Sequence, residues 1–112
     1  MRPLPTALLL AALVAGCAEE TGGPFVEIHD RTYAPDALTV PNGTAVAYRN
    51  VDDEEHTVTV VGASATSTVL DDLSVRAGDA ISYTFAEPGQ FTVYCRFHGD
   101  PASGQRMSVT VT

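Results

Sequence analysis

The feature that most constrains this chain is an alternating strand that ends on a cysteine, Gln90-Phe91-Thr92-Val93-Tyr94-Cys95. Phe91, Val93 and Cys95 fall on one face and Thr92 and Tyr94 on the other, the period of two expected of a half-buried strand. Cys95 therefore points where Phe91 and Val93 point, into a core. His98 follows three residues later, and the segment from Gly99 to Arg106 leads on to Met107. Ser-Val-Thr-Val-Thr then alternates again. Thiol, imidazole and thioether are thus expected on a long loop clamped between two strands. Soft sulfur and imidazole in a rigid frame suit copper. One histidine is missing from this loop and must come from elsewhere.

The preceding sequence reads as short strands separated by turns. Phe25-Val26-Glu27-Ile28-His29 puts Val26 and Ile28 on one face and His29 on the solvent side. In Tyr33 to Val40, Pro35 marks an edge or bend, and Leu38 and Val40 point inward. Pro41-Asn42-Gly43-Thr44 is a turn, after which Val46 and Tyr48 resume the inward face. Four acids, Asp52-Asp53-Glu54-Glu55, read as a solvated loop before His56, and Thr57 to Val61 reads as a strand. Taken alone, His56 is a polar residue opening that strand. Gly62 to Leu70 is small and hydroxylated and reads as a long loop or irregular edge, with a brief strand at Leu73 to Val75. Ile81, Tyr83 and Phe85 share a face, and Glu87-Pro88-Gly89-Gln90 turns into the strand that ends at Cys95. No stretch has helical periodicity. Strands at this spacing predict an all-β antiparallel sandwich.

The 112 residues leave room for one domain. The first sixteen are expected to lie outside it. A weakly basic start and an apolar run from Ala7 to Val14, too short for a bilayer span, lead to Val14-Ala15-Gly16-Cys17. This resembles a bacterial lipoprotein signal (residues 1–16), which implies cleavage before Cys17 and a lipid on its sulfur, a stable anchor once two or more acyl chains are attached. Residues 17–24 are then a tether and 25–112 the domain. Export and anchoring place the domain on the extracytoplasmic or periplasmic side. With Cys17 lipidated, Cys95 is a lone thiol in an oxidising compartment, a liability unless buried or metal-bound. The formal charge is −8, and there is no lysine. That balance argues against nucleic acid as a partner and for electrostatically steered encounter with a basic one.

Across residues 33 to 111 the chain resembles a plastocyanin-like cupredoxin, a small blue-copper protein. The resemblance rests on Tyr33-x-Pro35-x-x-Leu38-x-Val40-x-x-Gly43-Thr44-x-Val46-x-Tyr48-x-Asn50-x-Asp52, on His56-Thr57-Val58, and on Gly78 with Tyr83-x-Phe85-x-x-Pro88-Gly89-x-Phe91-x-x-Tyr94-Cys95-x-x-His98. It implies a Greek-key β-sandwich and one type 1 copper ion held by His56, Cys95, His98 and a weak axial donor. The family usually places the axial methionine about four residues after the second histidine, whereas Met107 here lies nine after His98. Aligning Val109 with the family valine puts Gln105 there instead. Met107 and Gln105 share parity, and Met107 is favoured because sulfur is the usual donor. Asn50 and Thr57 are expected to orient the ligand-bearing segments.

The implied function is one-electron transfer, with no substrate transformed, between redox partners at the cell envelope. Gly99, Pro101 and Ala102 are expected to form an apolar patch around His98. Asp52, Asp53, Glu54 and Glu55 are expected to steer a basic cytochrome or oxidase domain, and Tyr94 to offer a lateral route. The protein is expected to act as a monomer. The rival reading from the same ligands is copper storage, delivery or sensing, favoured by the long loop before Met107. No Ser-His-Asp arrangement is recognisable.

Overall fold

Nine strands, and no helix, make up residues 23–63 and 68–112, the part of the chain described by a computed structural model. The expected signal segment, Cys17 and most of the expected tether lie outside these residues. In chain order the strands are β1 (Phe25–His29), β2 (Thr32–Ala34), β3 (Ala37–Val40), β4 (Thr44–Asn50), β5 (His56–Gly62), β6 (Val69–Val75), β7 (Ala80–Phe85), β8 (Gly89–Asp100) and β9 (Ser103–Val111).

They form a sandwich of two sheets, ordered β3-β9-β8-β5-β6 and β2-β1-β4-β7. Most neighbours are antiparallel. The pairs β1–β4 and β3–β9 are parallel, because β1 and β3 reach their partners by crossing over rather than through a hairpin. The core lies between the sheets. Val26 and Ile28 from β1, Val46 and Tyr48 from β4, Val58 and Val60 from β5 and Val93 and Cys95 from β8 are buried, and each set is spaced by two, as a pleated strand with one apolar face requires.

β5 is the exception to alternation, with six successive residues from His56 to Val61 buried. It sits between β6 and β8 in its sheet. Its outward hydroxyls are satisfied locally: Thr57 and Thr59 hydroxyls lie 2.8 Å apart, and the Thr59 hydroxyl donates to Asp72 at 2.8 Å. Asp72 also pairs with Arg96 Nε at 2.8 Å, which roofs that face.

Two expectations change. Val69 and Leu70 belong to the edge strand β6, the edge alternative rather than the long loop, and that strand begins at Val69 instead of Leu73. Val69 and Leu70 are exposed on a strand that has a neighbour on one side only, so edge position and small polar flanks hid the strand. The segment from Gly99 to Arg106 is likewise not a long loop: β8 runs on to Asp100 and β9 begins at Ser103. The turn is built by Asp100, whose carboxylate accepts from the backbone N–H of Ala102 at 2.7 Å and of Ser103 at 2.8 Å. These bonds hold the Asp100 carboxyl below its ordinary range.

Two core tyrosines make contrasting polar demands. The Tyr33 hydroxyl donates to the Thr57 carbonyl at 2.6 Å, whereas the buried Tyr48 hydroxyl has no partner among the described residues. Tyr33→Phe is expected to cost about 1 kcal/mol in urea unfolding. Tyr48→Phe, which removes a buried hydroxyl with no bond to lose, is expected to be neutral or stabilising. Equal losses for both variants would contradict this assignment.

Candidate metal centre

The centre forms where β8 parts from β5. The ladder between them reaches Thr59–Tyr94. Beyond it the N–H of Arg96 is taken by the Thr57 hydroxyl at 2.9 Å, a side-chain bond that continues the connection and turns the chain. This is the cross-strand role expected of Thr57. On the other side β8 pairs with β9 through Arg106–Tyr94 and again through Gly104–Gly99, with a register break between. Across that break Gln105 alone faces the four residues Cys95 to His98. A bulge of this kind re-aims side chains, and here it brings one β9 side chain onto the Cys95–His98 segment.

Three donor atoms converge there. His56 Nδ1 lies 3.7 Å and His98 Nδ1 3.6 Å from Cys95 Sγ. The three residues form a group whose ligand atoms all lie within 4.8 Å of one another. Gln105 Oε1 joins them, 3.1 Å from His56 Nδ1. His56, Cys95 and Gln105 are buried, and the His98 side chain is 15% exposed, so His98 is the ring that reaches solvent. Met107 lies two residues farther along β9, opposite Val93 and packed in the hydrophobic core.

The protonation chemistry of this cluster favours a cation. His56 Nε2 lies 2.7 Å from Asp52 Oδ2. Asp52 is held below the usual carboxylate range, first by the N–H of Asp30 and then by His56 itself, so its oxygens accept. Nε2 must then carry the proton, and the lone pair of neutral His56 sits on Nδ1. That lone pair faces an amide oxygen and a sulfur, while Gln105 Nε2 is buried without a partner among the described residues. A metal ion between these atoms would take up the lone pairs of His56, His98 and Cys95, and two imidazoles, a thiolate and a weak oxygen donor are a type 1 copper set. The donor set fits copper, which would supply a one-electron redox couple. Binding requires Cys95 as thiolate and both histidines neutral.

The other expected site residues divide. Asn50 is buried and donates to the carbonyls of Glu54 at 2.8 Å and Val75 at 2.9 Å, while its Oδ1 accepts from the N–H of Asp52. It therefore ties the acidic loop to the end of β6, and these bonds do not reach the Cys95 segment. Asp53 and Glu55 are exposed, as steering residues would be. Asp52 and Glu54 are not free surface charges: Asp52 binds His56, and Glu54 Oε1 lies 3.1 Å from Arg31 Nε and 3.4 Å from His98 Nε2. Gly99 and Pro101 are half-buried and Ala102 exposed. Tyr94 is half-buried beside Arg106.

Sequence reasoning missed Phe97, which is 51% exposed with its ring edge-on to His98 at 6.3 Å. Its place between Arg96 and His98 gave a weak signal. It also missed Arg31, for which no local signal exists.

A scan against protein families matches residues 4–107 to a family described as "Cupredoxin-like domain". No curated protein matches the chain. Among solved structures, a methionine-to-glutamine mutant of amicyanin in its Cu(I) form is 28% identical, with 79% of this chain and 80% of that one covered at a TM-score of 0.64. The reduced state of a proline-to-phenylalanine amicyanin mutant is also 28% identical, covering 85% and 88% at a TM-score of 0.66. An oxidised methionine-to-lysine mutant of amicyanin gives the same values.

The Gly99–Gly104 pair sets how closely the two strands approach. A Cβ on Gly99 would lie 2.5 Å from the Gln105 nitrogen, and one on Gly104, whose φ is +78°, 2.6 Å from the His98 carbonyl oxygen. Gly99→Ala is therefore expected to push His98 and Gln105 apart and weaken copper binding in a competition titration. Unchanged affinity would show that the spacing is not required.

Proposed function

The chain belongs to the cupredoxin-like family, and on that premise we propose that it is an exported, lipid-tethered blue-copper protein that shuttles single electrons between redox partners at the cell envelope. The observation that carries this reading is the buried convergence of His56 Nδ1, Cys95 Sγ and His98 Nδ1 within a few ångströms of one another. The similarity to amicyanins in Cu(I), reduced and oxidised forms supports a copper ion that changes oxidation state. Export and anchoring through Cys17 rest on the sequence of residues 14–17.

Each residue has a physical role. The Cys95 thiolate supplies the charge that balances the metal and, through a covalent metal–sulfur bond, an intense visible absorption. His56 is sealed in the interior and excludes water from its side of the site. The ring of His98 reaches the surface and gives electrons their shortest way out. Phe97 and the turn at Pro101 and Ala102 surround that edge with apolar surface. Asp53 and Glu55 would orient a basic redox partner in weak, brief docking, with the protein acting as a monomer. The storage, delivery or sensing alternative drew on a long ligand-bearing loop, and the tight Asp100–Ser103 turn removes that support.

For the axial position we assign Gln105 over Met107. Gln105 Oε1 reaches the donor cluster and its amide nitrogen has no other partner among the described residues, whereas Met107 is buried opposite Val93, beyond the register break that faces Cys95 to His98. An amide oxygen is a harder donor than a thioether and favours the oxidised metal.

The test is the visible spectrum of the purified protein after addition of copper(II). An intense blue band, abolished in Cys95→Ser and in His98→Ala, is the expected result, and a pale, weakly binding protein would remove the electron-transfer reading. In the same preparations, Gln105→Leu is expected to raise the reduction potential. Met107→Leu should leave the potential nearly unchanged and cost under about 1.5 kcal/mol of stability, as volume-conserving core changes do. The reverse pattern would make Met107 the axial donor.

A further inference from the structure

Both histidines of the centre have a carboxylate on the nitrogen that faces away from the donor cluster. His56 Nε2 lies 2.7 Å from Asp52 Oδ2, and His98 Nε2 lies 3.4 Å from Glu54 Oε1. Asp52 and Glu54 lie two apart on one loop and both reach these histidines, whereas Asp53 and Glu55 are exposed.

A second element fixes the direction of both acids. The β1–β2 turn puts Asp30 at φ 53° and Arg31 at φ 57°, a left-handed pair that β-hairpin turns use but that is uncommon without glycine or asparagine. Its residues dock on the same loop. The N–H of Asp30 donates to Asp52 Oδ1 at 2.9 Å, and Arg31 Nε donates to Glu54 Oε1 at 3.1 Å. Each carboxylate is thus held between the turn and a histidine. Asn50 fixes the loop from beneath, through its bonds to Asp52 N and Glu54 O.

We propose that Asp52 and Glu54 form a carboxylate clasp, a pair of positioning residues in which Asp52 holds the proton of His56 on Nε2 and so keeps its Nδ1 lone pair aimed at the metal position, while Glu54 places negative charge beside His98. The proposal rests on the copper reading above. Outer hydrogen bonds of this type set tautomer and ring orientation in metal sites and raise the basicity of the ligand. They also place negative charge next to the ligands, which favours the more positive oxidation state. The two carboxylates divide this work. Asp52 is close, little exposed and directional, and controls the tautomer. Glu54 is farther away and shared with Arg31, and contributes mainly charge.

This division makes Asp52→Asn a switch. The N–H of Asp30 demands an acceptor at Oδ1, so an asparagine there turns its NH₂ toward His56 Nε2. His56 must then accept on Nε2 and carry its proton on Nδ1, where Gln105 Oε1 waits 3.1 Å away. The proton occupies the position that the metal needs. Copper affinity should fall about 10- to 100-fold. Glu54→Gln keeps an oxygen for Arg31 and removes the charge beside His98, so the reduction potential should rise.

The experiment is long-range ¹H–¹⁵N NMR of the histidine rings in the metal-free protein, followed by copper titration and potentiometry of the same samples. Protonated Nε2 and bare Nδ1 on His56, inverted in Asp52→Asn, is the expected result. Protonated Nδ1 on His56 in the unaltered protein would overturn the clasp without any variant. So would an Asp52→Asn protein that keeps the Nε2 proton and full copper affinity, or a Glu54→Gln protein whose potential does not move. The metal-free tautomers report on the clasp whether or not the copper-loaded protein is blue, so its failure and that of the copper reading are separate results.

Discussion

Between Tyr94 and Gly99 the chain gives up its ladder with both neighbouring strands, and the Thr57 hydroxyl takes over the N–H of Arg96 that the ladder would otherwise have held. An open stretch in the middle of a sheet normally leaves backbone groups unpaired at a cost. Here the opening is small, bounded by the Thr59–Tyr94 pair below and the Gly99–Gly104 pair above. It turns the edge of a rigid sheet into a concave corner lined by Cys95, His98 and Gln105, with His56 facing it from the start of β5. A metal position so framed can change little in shape, which is what a centre whose ion alternates between charge states requires.

Much of this was legible in the chain. Strict alternation placed Val26, Ile28, Val46, Tyr48, Val93 and Cys95 on inward faces, because a half-buried strand imposes a period of two on its side chains. It placed His29 at the surface for the same reason. His56 was different: a histidine opening a strand has no pattern of its own, and only the resemblance to blue-copper proteins brought it beside Cys95. Gln105 and Met107 could not be separated by alternation, since both fall on the inner face of β9. The choice between them depends on the bulge opposite Cys95 to His98, a long-range register that no local period encodes.

The acidic loop was read as solvated, and half of it is. What the sequence could not show is that two of its four carboxylates, Asp52 and Glu54, lie against the histidines. Their direction is decided by a turn more than twenty positions earlier, at Asp30 and Arg31, residues with no glycine to announce left-handed backbone. That conformation is costly at residues other than glycine, and it is what brings the Asp30 N–H and the Arg31 side chain onto Asp52 and Glu54. Arg31 therefore belongs, with Asp30, to the metal centre's surroundings although both lie more than twenty positions from the acids they bind.

The turn between β8 and β9 has a consequence for how such a centre could change over time. Because Gln105 and Met107 share a face, two residues apart, losing a pair of residues from the Gly99–Gly104 hairpin would slide β9 by one full pleat repeat. Every inward side chain would stay inward, and the thioether would arrive where the amide oxygen now sits. With Gln105 as the axial donor proposed above, the chemical hardness of that donor is set by the length of a hairpin, so an insertion or deletion could retune the centre without a substitution at any ligand.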